Sequence, residues 1–290
     1  MSLIQAVIMG LVQGLAEFLP ISSSGHLAIF RHILGINTDT GLLFDVLLHI
    51  GTLIAIFIAF WGDIKELIVE GIQILGAFFA NVGIFFQKLF GRKKDYRKVI
   101  TTPYRRFVML VLVSTIPTGI MGLLFQDVIE SASETILIPG IFLLFTAILL
   151  WISDRVSSGK KDAQSAAWLD AGVIGVAQGF ATMPGLSRSG TTITACLLCG
   201  FDRNFAVKYS FIMSIPAVLG AAVLELKDFT PADLPGSELI SYLIGTVVAA
   251  VVGYICIKTM LVVVRGKKFK YFSIYCFIVG AIAVIANFVI

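Results

Sequence analysis

Long apolar stretches alternate with short charged stretches along nearly the whole chain. About 20 consecutive apolar residues are needed to cross the hydrocarbon core of a bilayer. Stretches of about this length predict membrane-spanning helices at 41–61, 107–125, 136–152, 205–224, 239–264 and 271–290. The charged stretches between them then mark the membrane surfaces, and polar residues inside apolar sequence need an explanation of their own.

The charged loops differ in sign. Basic loops lie at 88–106, 153–167 and 265–270, and acidic loops lie near 126–135 and 226–238. Loops with an excess of Lys and Arg stay on the cytoplasmic side of a membrane. We therefore expect the basic loops inside the cell and the acidic loops outside it.

The stretch 168–200 returns to the side on which it starts. It follows a basic loop, and the span 205–224 has to end outside, so both ends of the stretch are predicted to be cytoplasmic. Its centre, MPGLSRSG, contains Pro184, Gly185 and Gly190, which interrupt a helix. We predict a re-entrant helical hairpin, because irregular backbone at membrane depth is tolerated only inside protein or beside a wet cavity.

A short internal repeat relates this hairpin to the N-terminal region. A shift of 165 residues aligns Ala6–Gly25 with Ala171–Gly190 without a gap and matches eight of the twenty positions. Ordinary residue usage would give roughly one or two matches. The first copy is therefore predicted to be a second re-entrant hairpin, interrupted at Pro20 and Gly25.

The segment 62–90 decides how the two copies are oriented. If it lies in the cytoplasmic interface as an amphipathic helix, the repeats are inverted, whereas a seventh span there would make them parallel. Its polar residues, such as Lys65, Glu66 and Glu70, favour the interfacial helix. Inverted repeats with broken helices place a site at their interface near the middle of the bilayer, as in transporters.

The predicted fold is an all-α integral membrane protein with about six full transmembrane helices, two re-entrant helical hairpins and inverted repeats. We expect a single transmembrane domain over 1–290. Repeat 1 covers about 1–61 and is followed by a cytoplasmic segment at 62–106, and repeat 2 covers about 168–224.

Composition narrows the class of protein further. Of 290 residues, 58% are hydrophobic and 14% are charged, whereas soluble proteins carry roughly 25% charged residues. The net charge of +4 comes mainly from the basic loops, so it gives no reason to expect a nucleic acid partner. No removable signal peptide is expected, because a basic n-region and a cleavage site are missing. The four cysteines, which read as buried apolar residues, are Cys196, Cys199, Cys256 and Cys276.

Ionisable and hydroxyl side chains concentrate at the two predicted hairpin tips. Glu17 follows Gln13 by one helical turn, so both face the same way, and an ionisable residue inside a membrane indicates a functional site. Arg188 takes the place of Ser23 in the repeat, and its guanidinium suits a phosphate. An internal ion pair between Glu17 and Arg188 is the structural alternative.

The other tip residues also have two interpretations each. Serines at a helix start bind anions or merely cap the helix, and His26 is either a proton donor or a satisfied core residue. The set suits phosphoryl transfer, in which positioning and charge neutralisation do most of the work. The residues of the two tips expected to bind substrate are Ser22, Ser24, Ser187 and Ser189.

The tips resemble the two motifs of the bacterial undecaprenyl-diphosphate phosphatases, also called bacitracin-resistance proteins. The first motif resembles Gln13–His26 and the second resembles Pro184–Thr192, while FDVLLHIGTL and FIMSIPAVLGA resemble the helices that follow them. The resemblance implies hydrolysis of a polyprenyl diphosphate lipid to its monophosphate, which serves peptidoglycan synthesis and bacitracin resistance. It also implies a multi-pass protein of the bacterial cell membrane, and we expect the site to open to the outer face.

The resemblance further implies catalytic roles for Glu17, Ser23, His26 and Arg188, and it implies that Gln13 and Thr192 bind substrate. It implies a divalent cation, Mg²⁺ or Ca²⁺, and we expect Glu17 to bind it. Whether the nucleophile is Ser23 or water stays open, and so does the oligomeric state. A lipid transporter or flippase with the same inverted repeats, surrounded by membrane lipids, is the alternative function.

Overall fold

The computed structural model describes residues 1–34, 41–133, 135–228, 236 and 238–289. Parts of the two predicted acidic loops, and the last residue of the final predicted span, lie outside the described residues. The described helices are α1 (Leu3–Phe18), α2 (Ser23–Leu34), α3 (Gly41–Ala59), α4 (Trp61–Leu89), α5 (Pro103–Leu124), α6 (Gln126–Ser133), α7 (Leu137–Arg155), α8 (Trp168–Phe180), α9 (Arg188–Leu198), α10 (Arg203–Glu225), α11 (Leu239–Arg265) and α12 (Phe269–Val289).

The outer surface of the helices is that of a membrane protein. Six described helices are long and apolar enough to cross a membrane, namely α4, α5, α7, α10, α11 and α12. Two shorter apolar helices are α1 and the part Leu43–Ala59 of α3. Large apolar side chains such as Leu169 (76% exposed) and Ile240 (70% exposed) point outward. Soluble proteins rarely expose apolar surface on this scale, so the predicted class, an all-α integral membrane protein, is confirmed.

The helices α1 and α3 of the first repeat pack against α11, and both run parallel to it. Along α1, Gly10 lies against Gly245 and Gly14 lies against Ala249, and along α3, Gly51 lies against Thr246. A Cβ atom at Gly10 would come within 2.4 Å of the Gly245 carbonyl oxygen. Small residues therefore let these three backbones approach closely, as is usual for helix pairs in membranes.

The second repeat has the same arrangement, in which α8 and α10 pack against α5. Along α8, Gly175 lies against the carbonyl oxygen of Ser114, and Gly179 lies against Met121 about two turns further along α5. From α10, the Phe205 ring lies 5.4 Å from the Phe107 ring, and about one turn further along both helices the hydroxyl of Tyr209 donates to the carbonyl oxygen of Leu110 at 2.9 Å. Both α8 and α10 thus run parallel to α5.

The two halves point in opposite directions across the membrane. The end of α3 meets the start of α10, since the Phe60 and Phe211 rings lie 6.2 Å apart and Lys208 pairs with Asp63 at 2.8 Å. Because α1 is parallel to α3 and α8 is parallel to α10, α1 and α8 enter from opposite faces. The repeats are therefore inverted, as the sequence indicates.

We call the side that carries the starts of α5, α8 and α10 the basic face, because loops 90–102 and 156–167 lie there, and the other side the acidic face. The second hairpin starts and ends at the basic face. Lys161 pairs with Asp170 at 2.7 Å near the start of α8, and its backbone N–H donates to Gly200 at 3.1 Å just after α9. The hairpin is therefore re-entrant, as predicted.

The long helix α4 lies along the basic face although it is apolar enough to span. Its first turn is fixed to α10 by Asp63, and Glu70 pairs with Arg105 at the start of α5 at 2.7 Å. Further along, Asn81 donates to the Arg97 carbonyl at 2.9 Å and accepts from the Arg97 N–H at 2.7 Å. The exposed, charged segment 92–98 therefore runs back beside α4, and such a segment cannot lie in hydrocarbon. We therefore expect the helices that cross to be α3, α5, α7, α10, α11 and α12.

Candidate functional site

The tips of the two hairpins meet inside the helix bundle. The N–H of Gly185 lies 3.4 Å from the Ser24 hydroxyl. A Cβ atom at Gly25 would lie 3.2 Å from the Cα of Gly185, and one at Gly190 would lie 3.2 Å from the Cβ of Pro20. In the repeat, Gly25 corresponds to Gly190 and Pro20 corresponds to Gly185, so the two contacts are symmetry-related. Two copies of one element therefore build one site.

The second tip is held in a conformation that requires glycine. Gly185 has a φ of +89°, and a Cβ atom there would lie 2.1 Å from the carbonyl oxygen of Pro139 on α7. Thr146 of the same helix donates its hydroxyl to Gly185 at 3.1 Å and accepts the N–H of Ser187 at 2.9 Å. Ser187 then caps α9 by accepting the N–H of Gly190 at 3.1 Å. The start of α9, with Arg188 as its first residue, is thereby fixed.

Glu17 is the centre of the polar contacts between the tips. One carboxylate oxygen pairs with the guanidinium of Arg188. The other accepts the hydroxyl of Ser23 at 2.7 Å and the amide of Gln13 at 3.1 Å. The Glu17 side chain is 6% exposed and that of Arg188 is 16% exposed, so the pair is almost removed from solvent. The predicted functional set and its structural alternative, the internal ion pair, are thus present together.

Two buried polar atoms at this centre have no hydrogen-bond partner among the residues that the structure describes. They are Nη1 of Arg188 and Oε1 of Gln13. An unpaired buried donor on a charged group costs free energy, and a phosphate oxygen beside Arg188 would remove that cost. Ser23 and Arg188 are also the first residues of α2 and α9, and the positive ends of both helix dipoles favour an anion there.

His26 belongs to the first tip but contacts neither Glu17 nor Ser23. Its Nδ1–H donates to the carbonyl oxygen of Ser22 at 2.8 Å. In the neutral ring, Nε2 then accepts the hydroxyl of Tyr275 on α12 at 2.7 Å, and the two rings are stacked with 5.6 Å between centroids. The hydrogen bond from Ser23 to Glu17 makes Glu17, and not His26, the base nearest to the Ser23 hydroxyl.

The remaining predicted substrate ligands differ in position. Ser22 and Ser24 lie 3.3 Å apart, hydroxyl to hydroxyl, in the first tip, and Ser24 is exposed. Ser189 is buried, and its hydroxyl lies 3.4 Å from that of Ser187. Thr192 is directed away from the tips, because its hydroxyl lies 2.6 Å from that of Ser210 on α10. We therefore place Thr192 at the α9–α10 contact and not beside Glu17.

Sequence reasoning missed a polar row on α3 that leads to the site. Arg31 on α2 forms an ion pair with Asp45, and His49 donates its Nδ1–H to the carbonyl oxygen of Asp45 at 2.8 Å. Further along α3, Ala55 lies against Gly253 of α11, and Gly253 also lies against Phe18, the neighbour of Glu17 in the chain. Asp45 and His49 are four residues apart in an apolar helix, and that spacing of intramembrane ionisable residues is the signal that identifies them.

The donor atoms near Glu17 suit a hard cation only together with a ligand. The described residues contain no group of three His, Cys, Asp or Glu side chains that could hold a metal ion. The Glu17 carboxylate and the unpartnered Oε1 of Gln13 are oxygen donors. Mg²⁺ is usually bound by one or two carboxylates, water and substrate phosphates, so these residues fit a cation that arrives with a phosphate group.

Comparison with known proteins identifies the family of this chain. Residues 6–282 match the family model described as bacitracin resistance protein BacA. The chain is 43% identical over 290 residues to an undecaprenyl-diphosphatase of Methanosphaera stadtmanae, with 100% of both chains covered. It is 39% identical over 285 residues to an undecaprenyl-diphosphatase of Alkaliphilus metalliredigens, with 98% of each chain covered. The chain that builds this two-tip site therefore belongs to the bacitracin resistance protein BacA family.

Proposed function

We propose that the protein is an undecaprenyl-diphosphatase that converts a polyprenyl diphosphate in the membrane to the monophosphate and inorganic phosphate. The observation that carries the proposal is the unpaired Nη1 of Arg188 beside the Glu17–Ser23 hydrogen bond. This arrangement provides a vacant donor for a phosphate oxygen, a hydroxyl and a base within hydrogen-bonding reach of each other. The family match and the relatives named undecaprenyl-diphosphatase support the same reaction.

The reaction begins with an exchange of partners. The terminal phosphate of the substrate binds Arg188 and the starts of α2 and α9, and it competes with Glu17 for the guanidinium. Glu17 then keeps its hydrogen bonds to Ser23 and Gln13, which leaves its carboxylate free to accept a proton. Because the ion pair is broken by the substrate's own charge, the base becomes available when a phosphate is bound.

Ser23 is the proposed nucleophile. Its oxygen bonds to the terminal phosphorus while its proton passes to Glu17, 2.7 Å away, and the bond between that phosphorus and the bridging oxygen breaks. The lipid monophosphate leaves. Glu17 then releases its proton to solvent. In the second step water attacks the phosphoserine while Glu17 accepts a proton from it, the bond between the Ser23 oxygen and phosphorus breaks, and the Ser23 oxygen takes that proton from Glu17 as inorganic phosphate is released. Arg188 stabilises the charge on the transferred phosphoryl oxygens, which is the usual route to catalysis for this reaction.

A divalent cation would be held by Glu17 and the amide oxygen of Gln13, together with phosphate oxygens. When bound, it would neutralise charge on the diphosphate and reduce its repulsion from the Glu17 carboxylate. Ser22 and Ser24 would position the substrate from the first tip. We propose that the charge of the bound diphosphate leads to protonation of the His26 ring at Nε2, and that this Nε2–H donates its proton to the leaving monophosphate. We also propose that the site opens to the acidic face, the outer side of the cell membrane.

The experiment that tests the reaction is phosphate release from undecaprenyl diphosphate by purified protein in detergent. We expect Ser23→Ala to lose activity by about a thousandfold or more, because the nucleophile is missing. Ser214→Ala is the control, since Ser214 is a buried serine whose hydroxyl donates to Phe211 of its own helix. A phosphoserine trapped by acid quench supports Ser23 as the nucleophile. If Ser23→Ala keeps most of its activity while Glu17→Ala loses it, water is the nucleophile.

A further inference from the structure

A single side chain in the middle of α7 holds the turn that precedes Arg188. Thr146 is the central residue of α7 (Leu137–Arg155) and is 1% exposed. Its hydroxyl donates to the carbonyl oxygen of Gly185 at 3.1 Å and accepts the N–H of Ser187 at 2.9 Å. Within the part of the chain that the structure describes, no backbone hydrogen bond satisfies these two groups. The turn 185–187 therefore depends on one hydroxyl from a different helix.

The depth of this contact makes the dependence strong. Buried backbone N–H and C=O groups are almost always paired, and at membrane depth the bilayer offers no water to replace a lost partner. Without the Thr146 hydroxyl, the turn would have to move to satisfy its own backbone. Arg188 directly follows Ser187, the residue that caps α9, so a movement of the turn would displace the guanidinium.

The first repeat makes the corresponding contact with a weaker donor. Pro20 corresponds to Gly185 in the repeat alignment, and its carbonyl oxygen accepts the thiol of Cys276 on α12 at 3.7 Å. A thiol is a weak hydrogen-bond donor, whereas a hydroxyl both donates and accepts well. Both tips are thus held at the same carbonyl by a neighbouring helix, and the stronger donor holds the tip that carries the arginine.

We propose that Thr146 is a positioning residue for the reaction, because its hydroxyl fixes the turn 185–187 and so directs the Arg188 guanidinium at the transferred phosphoryl group. The hydrogen bonds of Thr146 go to the backbone of the second tip, so it acts through Arg188. A misplacement of about 1 Å can lower a rate about a hundredfold. The inference rests on the proposed function, since the direction of Arg188 affects a rate only when Arg188 acts on a phosphate.

The test is a series of side chains at position 146 of the full-length protein that differ in hydrogen-bonding strength. Thr146→Ser keeps the hydroxyl, Thr146→Cys provides the weak donor that the first repeat uses, and Thr146→Val keeps the shape of threonine without the hydroxyl. Phosphate release from saturating undecaprenyl diphosphate measures kcat. We expect kcat to stay within about threefold of wild type for Ser, and to fall about tenfold for Cys and about a hundredfold for Val.

Thr246→Val is the matched control, because Thr246 is also a buried threonine and its hydroxyl donates to Tyr242 of its own helix at 2.8 Å. We expect it to leave kcat unchanged. Thermal unfolding of each variant checks that the protein is folded. Wild-type kcat in folded Thr146→Val, or an equal loss of kcat in all three variants, would overturn the proposal. If Thr146→Val does not fold, Thr146→Cys decides, and a kcat equal to that of Thr146→Ser would overturn the proposal.

A second background tests whether Thr146 acts through Arg188. A lysine ammonium is a point charge on a flexible stem, so its effect depends little on the exact direction of the turn. Thr146→Val should therefore slow Arg188→Lys by no more than about twofold. If the two effects on kcat multiply instead, Thr146 does not act through Arg188, and the proposal is overturned. Failure of the wild type to release phosphate would refute the proposed function instead.

Discussion

Glu17 and Arg188 are 171 positions apart in the chain and form one ion pair where the two hairpin tips meet. The pair places the charged residue of one repeat against the charged residue of the other. In the repeat alignment their counterparts are Thr182 and Ser23, neither of which is ionisable. The two repeats therefore share one backbone arrangement, and they differ in which of their positions carry an ionisable side chain.

Replacement of Arg188 by Lys should lower kcat by about 10² to 10³-fold, the usual cost of one lost transition-state donor. A lysine ammonium carries the same charge but cannot form two parallel hydrogen bonds to a phosphate. Phosphate release under saturating substrate measures the effect. Arg265→Lys is the control, because Arg265 is exposed at the end of α11 and contacts Asn204. Turnover near the wild-type value in folded Arg188→Lys would return Arg188 to a purely structural role.

The sequence predicted the hairpins, their inversion and the Glu17–Arg188 meeting because each depends on a local signal. Pro184 and Gly185 interrupt the second hairpin, and the repeat alignment places Arg188 opposite Ser23. Charged loops indicate which ends of the helices share a face. These signals are readable without knowledge of side-chain packing.

Other features depend on packing between distant segments and were not predictable. His26 contacts Tyr275, 249 positions away, and no spacing rule relates them. Thr192 lies one turn after Arg188, which suggests a shared face. The long Arg188 side chain reaches Glu17, whereas the short hydroxyl of Thr192 stays against Ser210.

Gly185→Ala should disrupt the second tip. The added methyl group would lie 2.1 Å from the Pro139 carbonyl oxygen, and the backbone φ of +89° is unfavourable for alanine. We expect a free-energy loss of more than about 1 kcal/mol and loss of activity. Gly71→Ala in α4 is the control, because its new Cβ would meet nothing within 4 Å. Equal thermal stability of the two variants would contradict the described tip.

Removal of divalent cations should abolish phosphate release. The site offers one carboxylate and one unpartnered amide oxygen, and the bound diphosphate adds negative charge that Arg188 alone does not balance. We expect activity to fall to background in excess chelator and to return with Mg²⁺ or Ca²⁺. In Gln13→Ala, more cation should be needed for half-maximal activity, because one oxygen ligand is missing. Full activity in chelator would remove the cation from the mechanism.

The orientation of α4 can be tested by cysteine labelling in sealed vesicles. In a chain without its native cysteines, Lys65→Cys and Lys94→Cys should react with an impermeant maleimide from the same side. The reason is that α4 and the segment 92–98 run side by side along the basic face. Ser131→Cys in α6 should react from the other side. Labelling of positions 65 and 94 from opposite sides would show that α4 crosses the membrane.

The hydrogen bond between His26 and Tyr275 predicts that the two residues act together. Tyr275→Phe keeps the stacked ring but removes the hydroxyl that donates to Nε2 of His26 at 2.7 Å. If the protonated ring of His26 transfers a proton to the leaving monophosphate, the ring has to be held in one orientation. We expect kcat to fall about tenfold in Tyr275→Phe and about 10² to 10⁴-fold in His26→Ala, the range for a lost general acid.

The double variant distinguishes this role from simple packing. When Tyr275 acts only through His26, the variant with both His26→Ala and Tyr275→Phe should be no slower than His26→Ala alone. Tyr271→Phe is the control, because Tyr271 lies on the same helix, is 61% exposed and is four residues from Tyr275. If the effects of the two substitutions on kcat multiply, Tyr275 acts independently of His26. The orientation of the His26 ring then does not depend on the Tyr275 hydroxyl.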